Sequence, residues 1–401
     1  MHFFLIVRHF PPEISGGARR PYLLSKALTQ LGHKVTIVSP FKLSEEESSI
    51  QIPHPAIPNA SSQNSMHVAE KKSSNSIIQV VQRVKSFLRQ WFLWPEPNIR
   101  WAKKAEVHLL KTLPNISPKP DVIITTSPPE SLHIVGANLK RKTGIPWVAE
   151  MRDTWVETPH RKILERSKIR AVIEKKIARN YLVKADGLTT VSDAVLVEAK
   201  KYIHHDTPVC LIDHFSIPSE GDFHLPNEDL NIVHTGGFEL SDRNRILSNL
   251  LFNIEKCQRV RDESLPIIHL HLAGRLSSSE LDQISKKYEF KITFHGQLSL
   301  QLSRDIQNAS DALVLHTPPD SHALPGKYAE YCFAKKPILY LGGGNWLNLA
   351  DADKLLHLLK HLPTLKKGTT VSSGSGFTSN EAALKLSKFI QEEILTKSSI
   401  K

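Results

Sequence analysis

The strongest constraint on the fold is a rhythm. Short, continuously apolar, β-branched runs alternate with amphipathic stretches along nearly the whole chain. Ten runs read as strands: 3–7, 34–39, 121–125, 147–150 and 187–191, then 231–234, 267–273, 292–295, 312–316 and 337–341. Most are apolar at every position, which marks a strand covered on both faces, as in a parallel sheet. The stretches between them, such as 18–31, 99–113 and 129–142, carry apolar residues at helical spacing. In the first, Leu23, Leu24, Ala27, Leu28 and Leu31 form one stripe, and Gly32 stands where a C-terminal cap is expected. Such alternation predicts doubly wound sheets. It occurs twice, on either side of a His-, Pro- and Asp-rich stretch near 203–230 that lacks periodicity. The expected architecture is therefore α/β, with two Rossmann-like doubly wound parallel-sheet domains facing a cleft: residues 1–205 and 206–378, followed by a helix in 379–401. A length of 401 residues suits two domains.

Two segments break the rhythm. Residues 43–75 are rich in Ser, Glu, Pro, Asn and Gln and predict a long mobile loop. Residues 76–94 place Ile77, Val81, Val84, Leu88 and Trp91 on one helical side and Arg83, Lys85 and Arg89 on the other, ending in Trp91, Phe92 and Trp94. A basic amphipathic helix of this kind suits an anionic membrane surface; an ordinary surface helix is the plainer alternative. Charge supports the first reading. The chain carries +12, and the excess is concentrated: 71–104 holds eight cations against Glu96 alone, and 161–179 holds eight against Glu165 and Glu174. Anionic partners follow, and with no recognisable reading module nucleic acid is not expected among them. No apolar run approaches the roughly 18–20 residues of a membrane span, and the opening apolar stretch reads as a strand rather than a signal peptide. Cys210, Cys257 and Cys332 are too scattered for a disulfide framework or a structural zinc, so a reducing, cytoplasmic setting is expected.

Four motifs could carry chemistry. Pro11-Pro12-Glu13-Ile14-Ser15-Gly16-Gly17 follows the first strand and opens the first helix. Its paired glycines let backbone amides approach a ligand at a helix N-terminus, or simply make a turn. Glu150-Met151-Arg152-Asp153-Thr154-Trp155 ends another strand; Asp153 could orient hydroxyls there, or pair internally with Arg152. His234-Thr235-Gly236-Gly237 precedes Arg243 and Arg245, combining close approach with guanidinium groups able to clamp phosphate. Gly326-Lys327-Tyr328-Ala329-Glu330 enters a helix, with Gly326 and Lys327 suited to a diphosphate and Glu330 to a ribose hydroxyl pair. No cluster of His, Asp and Glu implies a metal.

In this order the motifs resemble the retaining glycosyltransferases of family four with the GT-B fold, especially bacterial members that build surface polysaccharides. The resemblance spans nearly the whole chain and rests on Pro11-Pro12 with Gly16-Gly17, Arg152 to Trp155, Gly236-Gly237, and Lys327 with Glu330-Tyr331. It implies an NDP-sugar donor held mainly by the second domain and a lipid-linked or glycan acceptor facing the first. It also implies no cofactor or metal, and a final helix that returns to the first domain. By the resemblance Glu330 matches the ribose-binding carboxylate and Gly326 and Lys327 the diphosphate loop. Arg243 or, equally, Arg245 matches the neutralising base, Gly16 and Gly17 the loop over the donor, and Asp153 a polar position lining sugar or acceptor. The sequence departs from the pattern at His322, where many members carry a second Glu, and at Asp213-His214-Phe215-Ser216, where an Asn-Gly turn is usual. A non-catalytic GT-B partner and a sugar-nucleotide 2-epimerase are the alternatives. Because Lys327 stands at a loop entrance, its removal is expected to lower turnover with little loss of fold.

Overall fold

All ten apolar runs are strands in the computed structural model, which describes residues 1–13, 15–43, 48–54, 94–156, 168–241, 244–259, 266–316, 325–341 and 377–396. The chain divides into two compact units: Met1–Asp213 with Asn380–Lys401, and His214–Ser379.

The first unit is built on β1 (His2–Ile6), β2 (Lys34–Ser39), β3 (Ser49–Gln51), β4 (Val122–Ser127), β5 (Trp147–Met151), β6 (Gly187–Thr190) and β7 (Val209–Leu211). They form one sheet in the order β3-β2-β1-β4-β5-β6-β7, every pair parallel. Its helices are α1 (Gly16–Gln30), α2 (Ile99–Thr112), α3 (Ser131–Thr143), α4 (Lys168–Leu182) and α5 (Asp193–Ala199). In α1 the predicted stripe is buried at Leu23, Leu24, Ala27 and Leu28, while Leu31 is exposed at the C-cap. The helix then stops as its glycine predicts: Gly32, at φ 80°, donates to Thr29, and His33 donates to Leu28. This is the paired cap that a left-handed residue makes possible. Trp101, Trp147 and Trp155 lie fully buried in one apolar cluster with Phe4, Ile6, Leu109 and Leu182.

Two strands were not visible in the sequence. β3 falls inside 43–75, expected to be a loop, and β7 inside the aperiodic stretch near 203–230. Both have three residues and lie at the sheet edges, so neither needs a long apolar run. The rest of the expected loop from 55, and residues 76–93 of the expected basic helix, lie outside the described residues. Trp94, at the end of that expected helix, is half-buried beneath the Arg170 guanidinium, which lies 4.5 Å from its ring centre.

The second unit has β8 (Leu230–Thr235), β9 (Ile268–Ala273), β10 (Lys291–Gly296), β11 (Ala312–His316) and β12 (Ile338–Leu341), parallel in the order β10-β9-β8-β11-β12. Its helices are α6 (Leu247–Arg259), α7 (Ser278–Ile284), α8 (Leu300–Ala309) and α9 (Gly326–Ala334). Ile232, Leu250, Leu270 and Val314 belong to its main apolar cluster. Part of one sheet face is polar instead. The His269 and His271 rings lie 4.0 Å apart, and His271 Nδ1 is 3.0 Å from His295 Nε2. Asp229 binds both His269 and Lys291.

The last described helix, α10 (Ser379–Phe389), belongs to the first unit from Asn380 onward and continues as a wider turn through Ile390–Leu395. Leu386, Phe389, Ile390 and Ile394 are buried and Leu384 is exposed; Ala382 and Ala383 take the buried side. A Cβ placed on Gly187 would meet Ile394 at 2.6 Å and Phe389 at 3.2 Å. The absence of a side chain there lets the helix close against the start of β6.

Candidate active site

In each unit the strand order reverses at the first strand: β1 lies between β2 and β4, and β8 between β9 and β11. Loops leaving neighbouring strands diverge at such a point, and the carboxyl ends of the strands there are where open parallel sheets bind ligands. Gly16 and Gly17 follow β1, Gly236 and Gly237 follow β8, and Gly326, Lys327 and Glu330 follow β11, whereas Asp153 follows β5, one strand further along the first sheet.

In the second unit β8 ends in Thr235, Gly236 and Gly237. The Gly236 amide donates to Ala273 at 2.7 Å and the Gly274 amide to Gly296 at 2.7 Å. Gly274, at φ 149°, has no room for a side chain, since a Cβ would lie 2.1 Å from the Gly236 carbonyl oxygen. The strand ends thus pack backbone on backbone. His234, just before them, is buried, with Nδ1 2.9 Å from the Val314 carbonyl. A carbonyl only accepts, so Nδ1 carries the hydrogen and Nε2 is left as an acceptor. That Nε2 is buried without a hydrogen-bond partner among the described residues, 3.5 Å from where a Cβ on Gly236 would stand. Burial pulls the His234 pKa down to about 3; the Val314 bond opposes this, and His316, Arg245 and Lys327 add to it. Arg245 and Lys327 are therefore both near enough to His234 to disfavour its protonation.

Gly326 opens α9 and is exposed; Pro325 precedes it in extended conformation and makes no side-chain cap. Lys327 Nζ lies 3.0 Å from Glu330 Oε2, with the carboxylate 1 % exposed and the ammonium group 27 %. Gln307 donates to the same oxygen at 3.2 Å and to Thr235 Oγ1 at 2.9 Å. The Tyr331 hydroxyl accepts from the Thr235 amide at 3.1 Å and donates to the Val314 carbonyl at 3.2 Å. Lys327 and Glu330, which the sequence treats as separate ligands for diphosphate and ribose, form one ion pair held by a buried polar network. The expectation that Lys327 can be removed at little structural cost does not survive this, because Glu330 is buried and depends on the pair. Arg243 and His322 lie outside the described residues.

In the first unit Gly16 is exposed, with open space where a Cβ would stand, whereas Gly17 is packed on His9, whose ring would stand 3.2 Å from a Cβ. His9 Nδ1 is 2.8 Å from Glu13 Oε1, and Arg8 donates to Glu13 Oε2 at 3.3 Å. Burial pushes the Glu13 carboxyl up, but His9, Ser15 and Arg8 outweigh it and hold the pKa below its usual value. The carbonyl of Gly17 is the i−4 acceptor for residue 21, and residue 21 is proline, which has no N–H to give. Arg152 supplies the hydrogen instead, at 2.8 Å, and donates to the carbonyls of Ser127 and Pro128 as well. Arg152 is thus a clamp on the glycine turn, and Trp155 is core. Of that motif Asp153 and Thr154 combine a polar side chain with partial exposure, and Asp153 carries the charge. Glu150 is buried against Arg20 at 2.9 Å; burial raises its pKa, but Arg20 and Arg152 prevail and keep it ionised.

The sequence motifs contain His234, Tyr331 and Glu150 without giving them roles, and they do not point to Gln307, to His9 or to the pairing of Arg20 with Glu150. Only His234 and His9 carry a visible signal, each standing beside a glycine or proline turn at a strand end. Among the described residues one group of metal-type ligands comes together, His204, His205 and Asp206; all are exposed, and the carboxylate lying between two imidazoles accounts for their proximity.

The solved sucrose-phosphate synthase from Thermosynechococcus elongatus matches with a TM-score of 0.66 at 13% identity, covering 100% of both chains. The trehalose-6-phosphate protein from E. coli bound with UDP-2-fluoro glucose matches at 0.55 and 11% identity, covering 100% of this chain and 98% of that one. WaaG, a glycosyltransferase involved in lipopolysaccharide biosynthesis, matches at 0.53 and 11% identity, covering 98% and 96%. At these identities the likeness is one of fold. No curated protein matches the sequence. The profile of Glycosyltransferase Family 4 matches residues 14–215, half of the chain, from the glycine turn to the end of the first unit. With its two parallel-sheet α/β units in the GT-B arrangement of secondary structure, the chain belongs to glycosyltransferase family 4.

Proposed function

We propose that this glycosyltransferase moves a sugar from a nucleoside diphosphate to a lipid-linked or glycan acceptor in cell-surface glycan synthesis, with retention of the anomeric configuration. The observation that carries the reading is the Lys327–Glu330 ion pair at the entrance of α9, tied through Gln307 to Thr235 at the end of β8, where the strand order of the second unit reverses. Transfer breaks the bond between the anomeric carbon and the diphosphate, and negative charge grows on the departing oxygen. Cations and helix amides fixed beforehand stabilise that charge without reorganising. The acceptor oxygen bonds to the same carbon on the same face, and its proton passes to the departing phosphate. No enzyme nucleophile, metal or cofactor enters the scheme. Glu330 and Gly326 are assigned to ribose and diphosphate, with Gly236 and Gly237 giving the phosphates close approach. Arg243 is assigned beside Arg245; Gly16, Gly17 and Asp153 are assigned to the sugar and acceptor side. The UDP-sugar bound in the E. coli neighbour supports a nucleotide-sugar donor. A reaction at the cytoplasmic face of the membrane fits the net charge, and among the described residues no helix is long and apolar enough to cross a membrane.

The test is a binding screen of labelled nucleotide-sugars, followed by mass analysis of lipid-extracted product. A product heavier than the acceptor by one sugar is expected. Binding without turnover would make the chain an inert partner, and interconversion of two free nucleotide-sugars would make it an epimerase; either result overturns the proposal.

A further inference from the structure

Helix α4 (Lys168–Leu182) turns Arg170, Glu174, Ala178 and Leu182 into the protein at steps of four. Glu174 is its one acidic residue and is buried against Arg170, at 2.9 Å, so the outer face of α4 carries no anion. That face instead presents Ile169 and Val172, 66% and 54% exposed, with Ile173 and, just past the helix, Val183 exposed beside them. At about 100° per residue these side chains share a wedge of roughly 100°. Exposed Lys176 lies at its centre, and exposed Lys168, Lys175 and Arg179 run down one flank. Branched aliphatic residues left in water inside a border of one charge sign mark a surface built for a partner.

We infer that this face of α4 docks on an anionic lipid surface. The charge decides among occupants. This chain's own segments 71–93 and 161–167 have an excess of cations in the sequence and would meet like charge there, and a second copy would set four cations against four. A bilayer interface accepts both features at once: aliphatic tips enter the acyl boundary while lysine and arginine stems reach the anionic headgroups. Each cation at such a surface strengthens binding about fivefold. The inference deepens the proposed transfer to a lipid-linked acceptor, but its test reads lipid binding with no sugar donor present, so the two can fail separately.

The experiment is co-sedimentation of the full-length chain with vesicles of phosphatidylcholine alone or with phosphatidylglycerol. A triple variant Lys175→Gln, Lys176→Gln, Arg179→Gln and a second variant Ile169→Ser, Val172→Ser are compared with the parent. All five substituted positions are exposed, and circular dichroism with nucleotide-sugar hydrolysis checks that each variant is folded. Expected are pelleting only with the anionic vesicles, its loss in high salt, and binding weakened at least tenfold in each variant. Unchanged pelleting of both variants would overturn the inference, as would failure of the parent to pellet. Preference for soluble polyglutamate over anionic vesicles would overturn it in favour of an acidic protein partner.

Discussion

Single residues at the second unit's strand ends have two duties at once. Lys327 is assigned to the leaving diphosphate, yet it also neutralises a carboxylate that is almost wholly buried. Lys327→Ala should therefore cut turnover by about 100-fold or more, the usual scale for losing one group that meets developing charge. The same change should cost about 1–2 kcal/mol of stability, less than for a fully buried pair because the ammonium group is partly exposed. Steady-state kinetics and a denaturant titration check the two halves. A double variant with Glu330→Gln should regain the stability and not the turnover; recovery of both would remove Lys327 from the chemistry. His234 poses a different question. Held neutral, with its hydrogen committed to Val314, it can only accept at Nε2. His234→Phe should keep the ring contact with Phe238, now 4.4 Å between centres, while removing that acceptor. We expect a raised KM for the nucleotide-sugar with a smaller change in kcat, measured at saturating acceptor.

At the scale of elements, the rhythm of apolar runs was enough to read ten strands, because a strand covered on both faces cannot hide its composition. What stayed unread had little composition to show: β3 and β7 are three-residue edge strands. The turns of the candidate site were legible where glycines punctuate strand ends and helix entrances. The roles within it were not, because pairing depends on three-dimensional neighbours. Arg152 next to Asp153 looks like an internal ion pair or a ligand-binding couple, yet its guanidinium is spent on three carbonyls, one of them orphaned by Pro21. This arrangement predicts coupling. Arg152→Lys should destabilise the first unit by about 2 kcal/mol, since one ammonium group cannot reach three acceptors in a planar fork. In a Pro21→Ala background the loss should be smaller by about 1 kcal/mol, because the new amide supplies Gly17 with its missing donor. Additive losses in the double-mutant cycle would disprove that link.

Over the whole molecule, buried neutral histidines tie stability to pH. Burial brings His133 in the first unit and His234 and His271 in the second each down to about 3, from a usual value of 6.5. Unfolded, these rings take up protons near 6.5; folded, they resist until about 3. Between those values the unfolded chain binds more protons, so stability is complete above about pH 6.5 and falls as pH drops towards 3. Asp229 and Glu150, whose carboxyls are held low by their cations, push the same way at the acid end. Melting temperature should be flat from pH 8 to 6.5 and decline below it, with a shallower decline in His271→Asn; a midpoint that rises on acidification would contradict the assignment. The two units also differ in when they can be finished. On the ribosome the first one emerges early but lacks α10, which closes on Gly187 and is made only after every residue of the second. Until then the patch around β6 stays open on the nascent polypeptide, so the unit translated first is the one sealed last.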